Sequence, residues 1–182
     1  MRTLANAVGL VALLSSTAAA QAHTSDRALI ANALSAAPAS VADHAMVVTH
    51  DGRTLRDGSN GWVCMPDDPA IPNNSPMCLD EVWRDFIDAL MNRRAPRATG
   101  IGIGYMLQGD MPVSNLDPYA TGPTPANQWL DNGPPHLMIV IPDRALLARL
   151  PTDPHNGGPW VMWKETPYAH IMVPASPRTT AR

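Results

Sequence analysis

Histidines and carboxylates are the residues of this chain whose types and positions could do chemistry. His136 opens the apolar run His136 to Ile141, Asp143 follows that run, and His155 sits in the turn-rich stretch 152 to 159. Asp110 ends the glycine-rich run that starts at Gly100. An imidazole oriented by a carboxylate can take and return a proton near neutral pH. His136 or His155 with Asp110 or Asp143 are therefore the candidate catalytic residues of a small hydrolase. The competing role is structural. A histidine inside an apolar strand is commonly a satisfied core residue, and His170, between Ala169 and Ile171, fits that description best. His50 lies beside Asp51 at a hairpin turn.

A second polar group follows the glycine run. Gly100, Gly102 and Gly104 alternate with large apolar residues, so in a strand they fall on one face and leave it bare. Another backbone, an aromatic ring or a ligand must lie against such a face. Asp110, Asn115 and Asp117 come next, a set able to hold sugar hydroxyls or a hard cation, although Asp and Asn are also ordinary turn formers. A bare wall beside a polar rim predicts a small-molecule pocket, with Gly102, Gly104, Tyr105, Asp110, Asn115, Asp117 and Trp129 as its ligand-binding residues. The glycines lack the following helix and Lys-Ser/Thr of a phosphate loop.

Methionines and histidines in an exported protein can hold copper, since thioethers suit Cu(I). Here Met46, Met65, Met106, Met138, Met162 and Met172 are dispersed through apolar stretches, where methionine fills core gaps. The sequence also lacks Gly-x-Ser-x-Gly, His-Glu-x-x-His and an intact calcium loop. No metal site and no cofactor are expected, and periplasmic copper binding is the least favoured reading.

The first 22 residues indicate the compartment. Met1-Arg2 is basic, Val8 to Leu14 is apolar, and Ala20-Gln21-Ala22 is a small-x-small cleavage pattern. Residues 1–22 thus read as a signal peptide, too short for a membrane span, and the expected location is periplasmic or secreted. Cleavage leaves 182 − 22 = 160 residues, one ordinary domain over 23–174 with a disordered tail at 175–182. Without Arg2 the charge sum is 12 − 16 = −4, which offers no footprint for nucleic acid or an anionic membrane. In an oxidising compartment the even pair Cys64 and Cys78 is expected to form a disulfide.

The elements that must position these residues follow from periodicity and turn chemistry. Ser25 can cap a helix over Asp26 to Ala36 that Pro38 stops. Ala45 to Thr49, Arg53 to Arg56 and Trp62 to Met65 read as a three-stranded meander turning at Asp51-Gly52 and at 57–61. Asp80 caps the clearest helix, where Val82, Trp83, Phe86, Ile87, Leu90 and Met91 form one stripe ended before Pro96. Strands follow at 100–107 and 136–141, with a long connector at 108–135 that carries Tyr119 and Trp129. Asp143 caps a short helix, and Trp160 to Lys164 with Tyr168 to Val173 makes a closing hairpin. The expected class is α+β: an antiparallel sheet, two or three helices and one disulfide.

The segments Asn60-Gly61-Trp62-x-Cys64-x-Pro66, Pro76-Met77-Cys78-Leu79-Asp80, Gly102-Ile103-Gly104-Tyr105-Met106-Leu107-x-Gly109-Asp110, Pro135-His136-Leu137-Met138-Ile139 and Gly158-Pro159-Trp160-Val161-Met162-Trp163 resemble those of exported bacterial proteins of an uncharacterised family. The resemblance implies export and a single domain, and it carries no activity. The leading reading is a non-catalytic exported module that binds a small molecule or an envelope partner. The alternative is the His/Asp hydrolase.

Overall fold

A computed structural model describes residues 25–175. The predicted signal peptide and most of the predicted tail lie outside them. Helix α1 covers 25–34, and the short α2 (Ala39–Ala42) follows Pro38. Strands β1 (Met46–Val48), β2 (Thr54–Arg56), β3 (Val63–Met65) and β4 (Met77–Leu79) come next, then α3 (Glu81–Met91) and β5 (Gly102–Met106). The connector holds β6 (Val113–Ser114) and β7 (Trp129–Leu130); β8 (His136–Val140), a 3-10 turn (Arg144–Arg149), β9 (Trp160–Met162) and β10 (His170–Pro174) complete the order. The fold is α+β, as the residue patterns require.

Eight strands form one sheet in the order β2-β1-β3-β4-β5-β8-β10-β9, antiparallel except between β1 and β3; β6 and β7 pair separately. The first three strands are therefore not the meander that the turn residues predict. β3 lies on the opposite side of β1 from β2 and runs parallel to it, Met46 against Val63. Gly58 makes this crossing possible. A Cβ there would overlap the Met46 amide nitrogen and the Ala45 carbonyl carbon, so only a residue without one can pass the start of β1. Ser59 N then donates to His44 O and Asn60 Nδ2 to Val41 O, fixing the crossing loop.

Both faces of the sheet are covered, one of them in two pieces. On the first, Trp83 and Phe86 of α3 pack with Leu79, Met106, Met138, Met162 and Met172. The methionines do fill gaps there. On the second, Ala33 and Ala36 pack over Val47, Cys64 and Cys78 at one end, and Leu147 of the 3-10 turn packs over Val161 and Ala169 at the other. Cys64 and Cys78 are directly opposed residues of β3 and β4, joined as a disulfide with Cα atoms 4.0 Å apart.

The bridge stands at the foot of α3, because β4 runs straight into its cap. Asp80 accepts from Trp83 N through Oδ1 (2.8 Å) and from Ile103 N through Oδ2 (2.6 Å), tying the helix start to β5. At the sheet's ends, β9 has its outward amides taken by loops, Val161 N by Pro151 O and Trp163 N by Asn115 O. Next to β2, Arg53 pairs with Asp26, and Arg56 of β2 donates to the Ala42 and Ala45 carbonyls.

Candidate functional site: the buried Asp110–His136 pair

Strand register brings the pair together. Met106, the last residue of β5, is the direct partner of His136, the first of β8. The chain then turns at Gly109, whose φ of +136° suits glycine, and Asp110 folds back against its strand's own partner. His136 Nε2 faces Asp110 Oδ2 at 3.8 Å, with the histidine side chain fully buried and the aspartate side chain 10% exposed. His136 Nδ1 lies 2.8 Å from the Pro134 carbonyl oxygen. A carbonyl only accepts, so Nδ1 carries the proton and Nε2 is the nitrogen left for Asp110. At 3.8 Å no direct hydrogen bond forms, and Nε2 is a buried nitrogen without a hydrogen-bond partner among the described residues.

The aspartate is enclosed on its other sides. Its Oδ1 accepts from Met111 N (2.8 Å), and its backbone carbonyl accepts from Asn73 Nδ2 (3.1 Å), which also donates to Asp131 O. Gly133 presses on it so closely that a Cβ there would come within 2.7 Å of Asp110 Cβ. Burial pushes the Asp110 carboxyl above the ordinary range, opposed by His136 and by the Met111 amide. A proton placed between Nε2 and Oδ2 would have two seats. On oxygen it leaves a neutral acid beside a neutral ring, and on nitrogen it makes a buried ion pair. Of the two side chains only the carboxylate reaches solvent, and that only slightly.

Of the other two predicted catalytic residues, Asp143 is engaged as a cap and His155 points to solvent, while His50 and His170 bond backbone carbonyls. Asp143 caps the 3-10 turn, its Oδ1 accepting from Ala145 N. His155 is exposed in its loop, where its amide donates to Asp153. His50 bonds the Pro66 carbonyl through Nε2 (2.8 Å). His170 is the core histidine its neighbours suggest: Nδ1 donates to Tyr168 O, and Trp83, Phe86 and Trp163 meet the ring edge-on at 5.0 to 5.7 Å. Burial holds its pKa down to about 4, with a further push from His136.

The predicted ligand pocket is filled by protein. A Cβ on Gly102 would meet Val82 Cγ1 at 2.8 Å and Trp83 N at 3.2 Å; one on Gly104 would meet Met138 Cε at 2.9 Å and Leu79 Cδ2 at 3.0 Å. Helix α3 occupies the bare face, so these glycines allow helix–sheet contact and line no opening. Tyr105 points to the other face, against Trp62 (5.4 Å between ring centres). Asn115 is fully buried and committed: it donates to Gln128 Oε1 and Thr152 O and accepts from Trp160 Nε1. Asp117 accepts from Tyr119 N in a turn, and Trp129 is half-buried in β7, opposite Ser114. The polar trio predicted as one rim thus holds three separate structural positions.

The residues that enclose the pair, Asn73, Gly133 and Pro134, carry no sequence signal apart from their place in loops. Among the described residues no cluster of three or more His, Cys, Asp or Glu is set to hold a metal, and no helix is long and apolar enough to cross a membrane. Models of known families, curated proteins and solved structures offer no match to this chain.

Proposed function

We propose that this protein is a small exported hydrolase in which Asp110 transfers the proton and His136 holds it. One observation carries the reading: a carboxyl raised by burial faces, at 3.8 Å, an imidazole nitrogen that has no other partner among the described residues. A protonated Asp110 would donate to the leaving-group atom as its bond breaks. The resulting carboxylate would then take the proton of the attacking water, so the pair ends as it began. His136 is a positioning residue in this scheme. Its ring is sealed, and pinning Nδ1 on Pro134 O keeps Nε2 aimed at Asp110. Export is supported by the basic, apolar and Ala-x-Ala order of residues 1–22.

The test is a panel of chromogenic esters, glycosides and phosphoesters assayed between pH 4 and 8. Asp110→Asn should reduce any turnover found by about a hundredfold or more while the protein stays folded and at least as stable as the native chain. Turnover indifferent to that change, or none across the panel, would overturn the reading.

The complete burial of His136 favours a second reading, in which the pair locks the loops and the protein binds a small ligand or an envelope partner. Under it, Asp110→Asn changes stability alone.

A further inference from the structure

We infer that a pocket at the far end of β8 from His136 binds a small carboxylate with a short apolar tail. The pocket is independent of the Asp110 reading. It is an open pocket of about 100 Å³ between the loop after α3, the end of β8 and the Pro167 turn. Its floor is Phe86 and Val140, and Ala98 and Ala169 leave the space open because their side chains are small. Pro96, Pro142 and Pro167 form the walls. Prolines offer no amide hydrogen and hold their backbone stiffly, which makes the walls apolar and preformed.

The polar side of the pocket is positive. Arg144 lines it, its guanidinium held by the Thr166 carbonyl. A smaller crevice that shares Phe86, Pro96, Ala98 and Val140 adds Arg97. Among the described residues neither arginine has a carboxylate within ion-pair distance; neighbouring Asp143 is engaged as a cap, and Glu165 is exposed. An arginine bonded to one carbonyl keeps donors in reserve, and the planar fork suits a carboxylate. An apolar floor beside the Arg144 guanidinium, with a second uncompensated arginine, Arg97, on the adjoining crevice, thus selects an anion with a hydrophobic body.

The experiment titrates hexanoate and, separately, hexanamide into the full chain, followed by methyl NMR. Hexanoate should shift Ala98, Val140, Ile141 and Ala169, and the amide should bind at least about tenfold more weakly. Arg97→Gln/Arg144→Gln should reduce hexanoate to the level of the amide. Ala98→Leu, which fills the space from a loop, should remove both while the melting temperature holds. Absence of shifts at these methyls with either probe overturns the proposal. So does equal binding of acid and amide, or a preference for acid that survives the double variant.

Discussion

The indole N–H of Trp83 donates to the Met138 carbonyl at 2.9 Å, joining α3 to β8 beside Gly104. A helix can come this near a sheet only where the strand beneath has no side chains, and Gly102 and Gly104 supply that clearance. Aromatic bulk and missing bulk are matched across the interface, with Phe86 against Trp83 at 4.7 Å completing the layer.

Gly102→Val should therefore destabilise the fold by about 1–3 kcal/mol, because the new side chain meets Val82 and the Trp83 backbone. Gly100→Val should be nearly silent, since a Cβ there meets nothing within 4 Å. Urea melts of both variants, read as midpoint shifts at constant slope, check the contrast. Equal effects would mean that the helix does not sit on β5 in this way.

Asp110→Asn should gain stability relative to the native chain as pH rises. Burial raises the carboxyl in the folded state, so that state binds more protons than the unfolded chain from about pH 4 upward. The native protein consequently loses stability with rising pH through the folded-state value, and a neutral amide does not. Melting temperatures of both forms at pH 4, 5.5 and 7 should diverge in favour of Asn. A constant difference would show that burial does not raise the Asp110 carboxyl.

His170 acts in the opposite sense. Its folded-state pKa of about 4 lies below the ordinary value of 6.5. The unfolded chain therefore takes up the proton first, and stability falls as pH drops from about 6.5 to 4, by up to roughly 3 kcal/mol. His170→Leu should flatten that loss at some cost at neutral pH, since the bond to Tyr168 O goes with it. Denaturant midpoints at pH 7 and 5 measure the slope; an unchanged slope would assign the acid sensitivity elsewhere.

Replacing both Cys64 and Cys78 by Ala should cost about 3 kcal/mol, the loop-closure value for a separation of 14 residues. The effect should reach Asp110, because the closed loop carries Asn73 to its carbonyl. Hydrogen exchange at the Met111 amide, which bonds Asp110 Oδ1, should quicken in the double variant. Unchanged protection there would separate the bridge from the site.

The sequence made most elements legible because capping and periodicity are local. Asp80, Asp143 and the stripe through Trp83 and Phe86 act where they were read. Pairing across the chain was less visible. The Asp51-Gly52 hairpin is local, but the passage of residues 57–61 past the start of β1 depends on a close approach that one glycine permits and no pattern announces. β4 carries no strand signal, because three residues between Pro76 and Asp80 are too few to show alternation. Both members of the Asp110–His136 pair were named, yet their meeting depends on the Met106–His136 register and the Gly109 turn. The binding rim failed for a related reason: Asn and Asp that satisfy buried backbone and indole groups look the same in sequence as those that await a ligand.

The two ends of the sheet differ in what they offer another chain. At β9 the Val161 and Trp163 amides already donate to Pro151 and Asn115, so an incoming strand would have to displace both loops. At β2 an incoming strand would find three residues, a register break between Val47 and Val48 just inward, and two arginines tethered at positions 53 and 56. A short, kinked and charged margin is a poor template for fibril growth. Among the described residues, strand addition is thus hindered at one margin by docked loops and at the other by charge and a broken register.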